Sequence, residues 1–217
     1  MNRKTIFSVL IAIFAIAVSA CANAAPTATT SNNNNTSPIV PNTSGGSDTT
    51  GASTLACSGG SQSASLTPEV TEGPYFKAGS PERASLVEDG MAGTKIVITG
   101  YVYTADCKPV ANALLDFWQA DAGGNYDNSG YTLRGHQLTD ANGHYQLTTI
   151  VPGLYPGRTE HIHVKVQAPN GKLITSQLFF PGVTQNGSDG IFDPALLLNI
   201  QKSSDGLQGQ FNFVVPG

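Results

Sequence analysis

The sequence predicts an all-β fold: an antiparallel β-sandwich with long loops and at most one short helix. Charged residues make up only 12% of the 217-residue chain and glycine occurs 24 times, a composition poor in exposed-helix material and rich in turn material. Runs dense in Ile, Val, Tyr and Phe recur between clusters of Gly, Pro, Asn and Asp, the punctuation expected of short strands. Polar and apolar residues alternate across 161–168, the two-residue period of a strand with one core face.

The chain opens with Arg3 and Lys4 ahead of an apolar run over 5–20. A positive start followed by an apolar stretch ending in small residues is the pattern of a secretory signal, and the run is shorter than the ~20 residues of a membrane span. Residues 1–20 are therefore expected to be a signal peptide. The ending Val-Ser-Ala before Cys21 resembles a bacterial lipobox, which makes Cys21 the lipidation site of an exported, envelope-anchored lipoprotein. Cleavage after Ala24 is the alternative and gives a secreted protein. Residues 21–58 are rich in Ser, Thr, Asn, Pro and Gly. They lack the apolar surface needed to offset ordering entropy, so a disordered tether is expected. The folded domain is assigned to 59–217. Committing Cys21 to lipid leaves Cys57 and Cys107, and in an oxidising compartment these two are expected to pair. The formal net charge is −4 with no basic run past the leader, which excludes a phosphate-neutralising nucleic-acid surface.

Within the domain, 71–76 reads as an extended lead-in broken by Gly73 and Pro74. Residues 95–104 and 113–120 read as strands, and 145–150 follows a turn in which Gly143 supplies φ > 0. The hairpin after His161 turns over Pro169, Asn170 and Gly171, with Pro169 opening a type I turn and Gly171 expected at the left-handed bulge position. A three-residue loop pairs Ala168 with Lys172 and therefore His163 with Gln177. After Pro181 the chain is expected to be loop-like to Gly190. Asp193 and Pro194 then begin a short helix, and 211–215 closes as a strand.

His161 and His163, two residues apart on one strand, share a face. On the hairpin alone they read slightly better as solvated polar positions on a half-exposed strand. Tyr126 and Tyr155 change the balance, because each sits in a Gly-rich loop where a core role is unnatural. Zinc sites favour Cys, His and carboxylate, whereas a phenol of pKa ~10 is best deprotonated by a trivalent ion. Two tyrosinates and two neutral imidazoles point to Fe(III). His144 follows a turn and His136 adjoins Gly135, so neither is expected to be a ligand.

Thr71-Glu-Gly-Pro-Tyr75, the run from Phe117 to Tyr126, the run from Arg134 to Tyr145, and Tyr155 with Arg158 to His163 together resemble the intradiol ring-cleavage dioxygenases, as in the catalytic domain of protocatechuate 3,4-dioxygenase and catechol 1,2-dioxygenase. The resemblance implies ferric iron held by Tyr126, Tyr155, His161 and His163, a catechol-type substrate, O2, and a cis,cis-muconate-type product. It implies that Tyr155 leaves the metal when substrate binds, that Arg158 stabilises negative charge on the ring, that Gln177 supports it, and that Tyr75 lines the pocket. The short interval between Tyr155 and His161 and the lack of a helical N-terminal segment resemble the secreted, single-domain branch. They leave the particular catechol and the oligomeric state open. The alternative is a non-catalytic transthyretin-like or carboxypeptidase-regulatory-like binding module, which shares the turn motifs at 98–102, 140–145 and 152–155. His161, His163, Arg158 and Tyr126 have no role in such a module.

Overall fold

Nine strands form two sheets in the computed structural model, which describes residues 56–57, 63–204 and 206–217. The expected leader, Cys21 and most of the expected tether lie outside the described residues. The strands are β1 (Lys95–Thr104), β2 (Leu114–Gln119), β3 (Arg134–Leu138), β4 (His144–Ile150), β5 (His161–Gln167), β6 (Ile174–Phe179), β7 (Asn199–Ser203), β8 (Gly206–Gln210) and β9 (Phe213–Val215). One sheet runs β4-β1-β8-β7 with β9 also on β1, and the other runs β3-β2-β5-β6. The core lies between them. Ile96, Ile98 and Val102 of β1 and Leu147 of β4 meet Leu115 and Phe117 of β2 and Ile162, Val164 and Val166 of β5, all at most 1% exposed. Alternation places the partners of these residues on the outer faces.

The sandwich is all-β as expected, but not antiparallel throughout. β1 pairs antiparallel with β4 and parallel with both β8 and β9, because the chain returns from the far sheet by a long connection before lying beside β1. β7 and β8 escaped the sequence reading: Asn-Ile-Gln-Lys-Ser and Gly-Leu-Gln-Gly-Gln have little β-branched character, and their pairing decides their state. The final strand begins at Phe213 and not at 211. The short helix at 193 is a 3-10 turn, Pro194–Leu196, with Asp193 accepting from the Ala195 amide. A second 3-10 turn, Thr184–Gly187, occupies the stretch expected to be loop.

The hairpin register is as expected: His163 pairs with Gln177. Its turn differs. The left-handed residue is Asn170 at φ 60°, and Gly171 donates its N–H to the Ala168 carbonyl at 2.9 Å. Pro169 followed by a left-handed Asn is the pattern of a type II turn. Asn tolerates that conformation nearly as well as Gly, so the loop length and register survive the change.

Cys57 and Cys107 are disulfide-bonded across 50 residues of chain. The bridge ties residue 57 to the end of β1, where Asn212 also donates to the Ala56 carbonyl. Closing a loop of this length restricts the unfolded chain, an effect typically worth about 2–4 kcal/mol.

The lead-in lies on the outer face of the second sheet. Gln177 donates to the Thr71 carbonyl at 3.0 Å, Arg134 donates to the Tyr75 carbonyl at 2.7 Å, and Lys165 pairs with Glu72 at 2.5 Å. This cover turns a face that alternation alone would leave wet into an interior.

Candidate active site

The register of the second sheet builds the site. Trp118 pairs with both Arg134 and His163, and His163 pairs with Gln177. Arg134, Trp118, His163 and Gln177 therefore form one row across four strands, on the face covered by the lead-in. His161 stands on the same face, next along β5. The expected alternative of solvated histidines does not hold, since His161 is 4% and His163 2% exposed. Trp118 stacks on the His163 ring with centroids 4.7 Å apart and planes within 7°. Gly73, at φ 72°, lies against the same ring, where a Cβ would come within 3.3 Å of His163 Cε1.

The two tyrosines arrive on loops pressed backbone to backbone. Gly153 donates its N–H to the Asp121 carbonyl. A Cβ on Gly124 would stand 2.1 Å from the Leu154 carbonyl oxygen, and one on Gly153 would stand 2.4 Å from that of Ala122. Only glycine permits this approach. The Asp121 carboxylate accepts from the amides of Gly123 and Asn125, shaping the turn that precedes Tyr126. The Asp127 carboxylate accepts from the amides of Ser129, Gly130 and Thr132, fixing the turn that follows it.

The donor atoms converge. His161 Nε2 lies 3.1 Å from His163 Nε2 and 3.3 Å from Tyr126 Oη. Tyr155 joins through its neighbours: its Oη accepts from Tyr75 Oη at 3.1 Å, and its ring stands edge-on to Tyr126 at 6.1 Å. Tyr75 stacks on Tyr126 at 4.4 Å, more central than a pocket-lining role requires. Arg158 donates from Nε to Asp189 at 2.8 Å and from Nη2 to Gln177 Oε1 at 2.6 Å. His136 lies apart, within 3.1 Å of Ser80 Oγ, and His144 packs edge-on to Tyr101.

This set fits a cation. His161 Nδ1 lies 2.6 Å from the Thr159 carbonyl oxygen, which can only accept, so Nδ1 carries the proton and Nε2 offers its lone pair. Ligands held about 2.1 Å from one metal stand roughly 3–3.4 Å from each other, the separation that His161 Nε2 shows to both His163 Nε2 and Tyr126 Oη. Burial pulls the His161 imidazole down to about 4 and His163 well below its ordinary range, in the second case with His161 contributing. Both imidazoles are therefore neutral at pH 7. Burial pushes the Tyr126 phenol up, against the pull of Arg158 and Arg134, so its ionisation calls for a further positive charge beside it. Among the described residues no cluster of three or more His, Cys, Asp or Glu could hold a metal, so a cation beside the histidine pair would need the phenols as further donors.

The buried histidines also set a pH dependence. The unfolded chain protonates these imidazoles near pH 6.5, whereas folded His161 takes no proton until about 4. Stability is thus full above 6.5 and lost as pH falls, by about 3 kcal/mol for His161 alone. Urea unfolding of chelator-treated protein should show a midpoint falling steadily from pH 7 to 4.5. A flat profile would mean that the imidazoles titrate as exposed groups.

Residues 71–215 match the family model described as Dioxygenase. The intradiol ring-cleavage dioxygenase of Tetranychus urticae is 30% identical at a TM-score of 0.65, the match covering 70% of this chain and 95% of that one. The chain belongs to the intradiol dioxygenase family. A second solved structure similar to the chain is the dioxygenase domain of a dioxygenase–carbohydrate-binding protein fusion from Streptomyces sp. SirexAA-E, 53% identical at a TM-score of 0.69, with 70% of this chain and 99% of that one covered. Catechol 1,2-dioxygenase 2 of Acinetobacter lwoffii is 34% identical over 142 residues, 54% of this chain and 52% of its own length. The chain thus spans about half the length of the curated intradiol dioxygenases it matches.

Two contributors to the intradiol site were not read from the sequence. Asp189, 8% exposed, accepts from Arg158, from the Thr159 amide and from the Ile191 amide. Burial opposes its charge, but these bonds hold the carboxyl below the usual range. In sequence it stands between Ser188 and Gly190 and looks like an ordinary turn residue. Arg134, 2% exposed, bridges the Tyr75 carbonyl and the Asp127 carbonyl, bracing the lead-in against the Tyr126 loop. Its place in a strand row could have been found only with the β2–β3 register in hand.

Proposed function

We propose that the chain is a non-haem Fe(III) intradiol dioxygenase that opens catechol-type rings with O2, giving cis,cis-muconate-type products. The observation that carries this reading is the convergence of His163 Nε2 and Tyr126 Oη on His161 Nε2, at 3.1 and 3.3 Å, with the Tyr155 loop alongside. His161, His163, Tyr126 and Tyr155 would hold the iron. Bound there, ferric iron supplies a Lewis acid that favours the doubly deprotonated catechol and activates its ring toward O2. The bond between the two hydroxylated carbons breaks, and both oxygen atoms of O2 enter the product.

The chain's own groups divide the remaining work. Tyr155 is half-buried on a loop bounded by Pro152 and Gly157 and can swing without disturbing a strand. Once swung out, its phenolate would take one of the two catechol protons and a water-derived hydroxide in the open site the other, while the Tyr75 hydroxyl, which donates to Tyr155 Oη, steadies the resting position. Arg158, aimed by Asp189 and Gln177, supplies a fixed cation where negative charge grows on the ring. Such preorganised charge acts without reorganisation at the moment of reaction. Trp118 and Gly73 close off the rear of His163 and exclude water.

Metal analysis with oxygen uptake on a panel of catechols tests this. Iron near one per chain, a reddish tyrosinate colour and O2 consumption with catechol are expected. A colourless, iron-loaded protein that consumes no O2 would overturn the reading. We also propose that the protein is exported and lipid-anchored at Cys21. The leader pattern and the Cys57–Cys107 bridge support an oxidising compartment. The Cys21→Ser variant should lose lipid label and leave the membrane fraction; unchanged fractionation would count against the anchor.

A further inference from the structure

A cleft of about 400 Å³ opens beside the site, between the loop carrying Leu154, Tyr155, Pro156 and Arg158 and the turn carrying Gln185 and Ser188. Tyr155 and Arg158 belong to both, so the cleft shares two walls with the reacting centre. Its volume lies in the range of about 300–1,000 Å³ that houses drug-sized ligands, more than one unsubstituted ring fills. Leu154 stands 44% exposed at its edge, a large apolar side chain that the fold itself leaves unburied. Of the polar groups, Ser188 Oγ already donates to the Gln185 carbonyl and the Asp189 carboxylate is taken by Arg158 and two amides. The Gln185 side-chain amide makes no hydrogen bond among the described residues.

Charge narrows the ligand. Arg158 is the one cation lining the cleft; with Asp189 at 2.8 Å it can offset the charge that grows on the ring but not a second, full anion beside it. A carboxylate entering here would be desolvated with no uncompensated partner, which is costly. A neutral group with a hydrogen-bonding atom and some apolar length would meet Gln185 on one side and Leu154 and Pro156 on the other.

We propose that this cleft is a subsite for a substituent on the catechol ring, and that the preferred substrates are catechols bearing a neutral, hydrogen-bonding side group such as an ester or amide. Gln185 is its polar contact and Leu154 with Pro156 its apolar wall. The inference rests on the dioxygenase reading above, and its test separates the two. Steady-state oxygen uptake is measured with catechol, with the ethyl ester of 3,4-dihydroxycinnamic acid, and with the corresponding free acid. Anaerobic calorimetric titration of the same three compounds gives affinity without turnover.

The ester is expected to exceed the acid at least tenfold in kcat/KM and in affinity. Gln185→Leu and Leu154→Ser should each lower the ester-to-catechol ratio of kcat/KM about five- to tenfold. Loss of one hydrogen bond or a few methylenes has effects of that order. An acid taken as well as the ester, or ratios unmoved by both substitutions while catechol is consumed, would overturn the subsite. Failure of the iron-loaded wild type to consume catechol would overturn the dioxygenase reading, and the subsite with it.

Discussion

Replacing His163 with alanine is expected to abolish iron retention and ring opening together while the sandwich stays folded. His163 lies on β5 between β2 and β6, with Nε2 3.1 Å from that of His161, so its removal takes away one of the two neutral donors that no loop movement can replace. Loss of a residue that merely orients a metal ligand already costs about 10–100-fold; loss of the ligand itself should cost more than about 10³-fold in turnover. The Trp118 stack is lost as well, so some stability goes with it. His163→Asn, which fills more of the space, guards against a folding failure. Iron content, far-ultraviolet circular dichroism and oxygen uptake read the three effects separately. Stoichiometric iron in a folded His163→Ala protein would mean that His163 is not a ligand.

Substitution of Arg158 by leucine should give the opposite pattern, with iron and colour retained and turnover lost. The guanidinium touches Gln177 and Asp189 and none of the converging donors. Its proposed work is to oppose charge that appears only as the ring reacts. Removing one such preorganised group typically costs about 10²–10³-fold in kcat. Asp189→Asn keeps the shape and weakens the aim, so a smaller fall of about tenfold is expected, with thermal stability lowered because the Thr159 amide also relies on that carboxylate. Activity of Arg158→Leu within twofold of the wild type would remove Arg158 from the chemistry. The contrast between the His163 and Arg158 variants separates holding the metal from using it.

Much of the second sheet could be read from the sequence, and the reasons are local. The alternation over 161–168 fixes which side chains share a face, and Pro169 with Asn170 sets the loop length, so the His163–Gln177 pairing needed no tertiary information. The error at Gly171 shows the limit. Asn and Gly both tolerate φ > 0, and sequence alone does not say which of two adjacent residues takes it. The parallel neighbour β8 and its partner β7 were not legible, because both are polar strands with little β-branched character, stabilised by their pairing and not by their own propensity. Burial of the histidines was equally hidden. It depends on 71–77 lying across the sheet through the Thr71 and Tyr75 carbonyls, and backbone acceptors carry no residue signature. Asp189 went unread for a related reason: a carboxylate among turn residues is usually solvated, and only the approach of Arg158 and the Thr159 amide makes it part of the site.

The donor set is divided between two kinds of backbone. His161 and His163 are set in β5, hydrogen-bonded on both sides, whereas Tyr126 and Tyr155 hang from loops whose glycines let them rest against each other. Half of the grip is masonry and half is hinge. Under the proposed iron reading, one arm would let go to seat an incoming molecule while the frame kept its hold, which would make the centre an open berth and not a closed clasp.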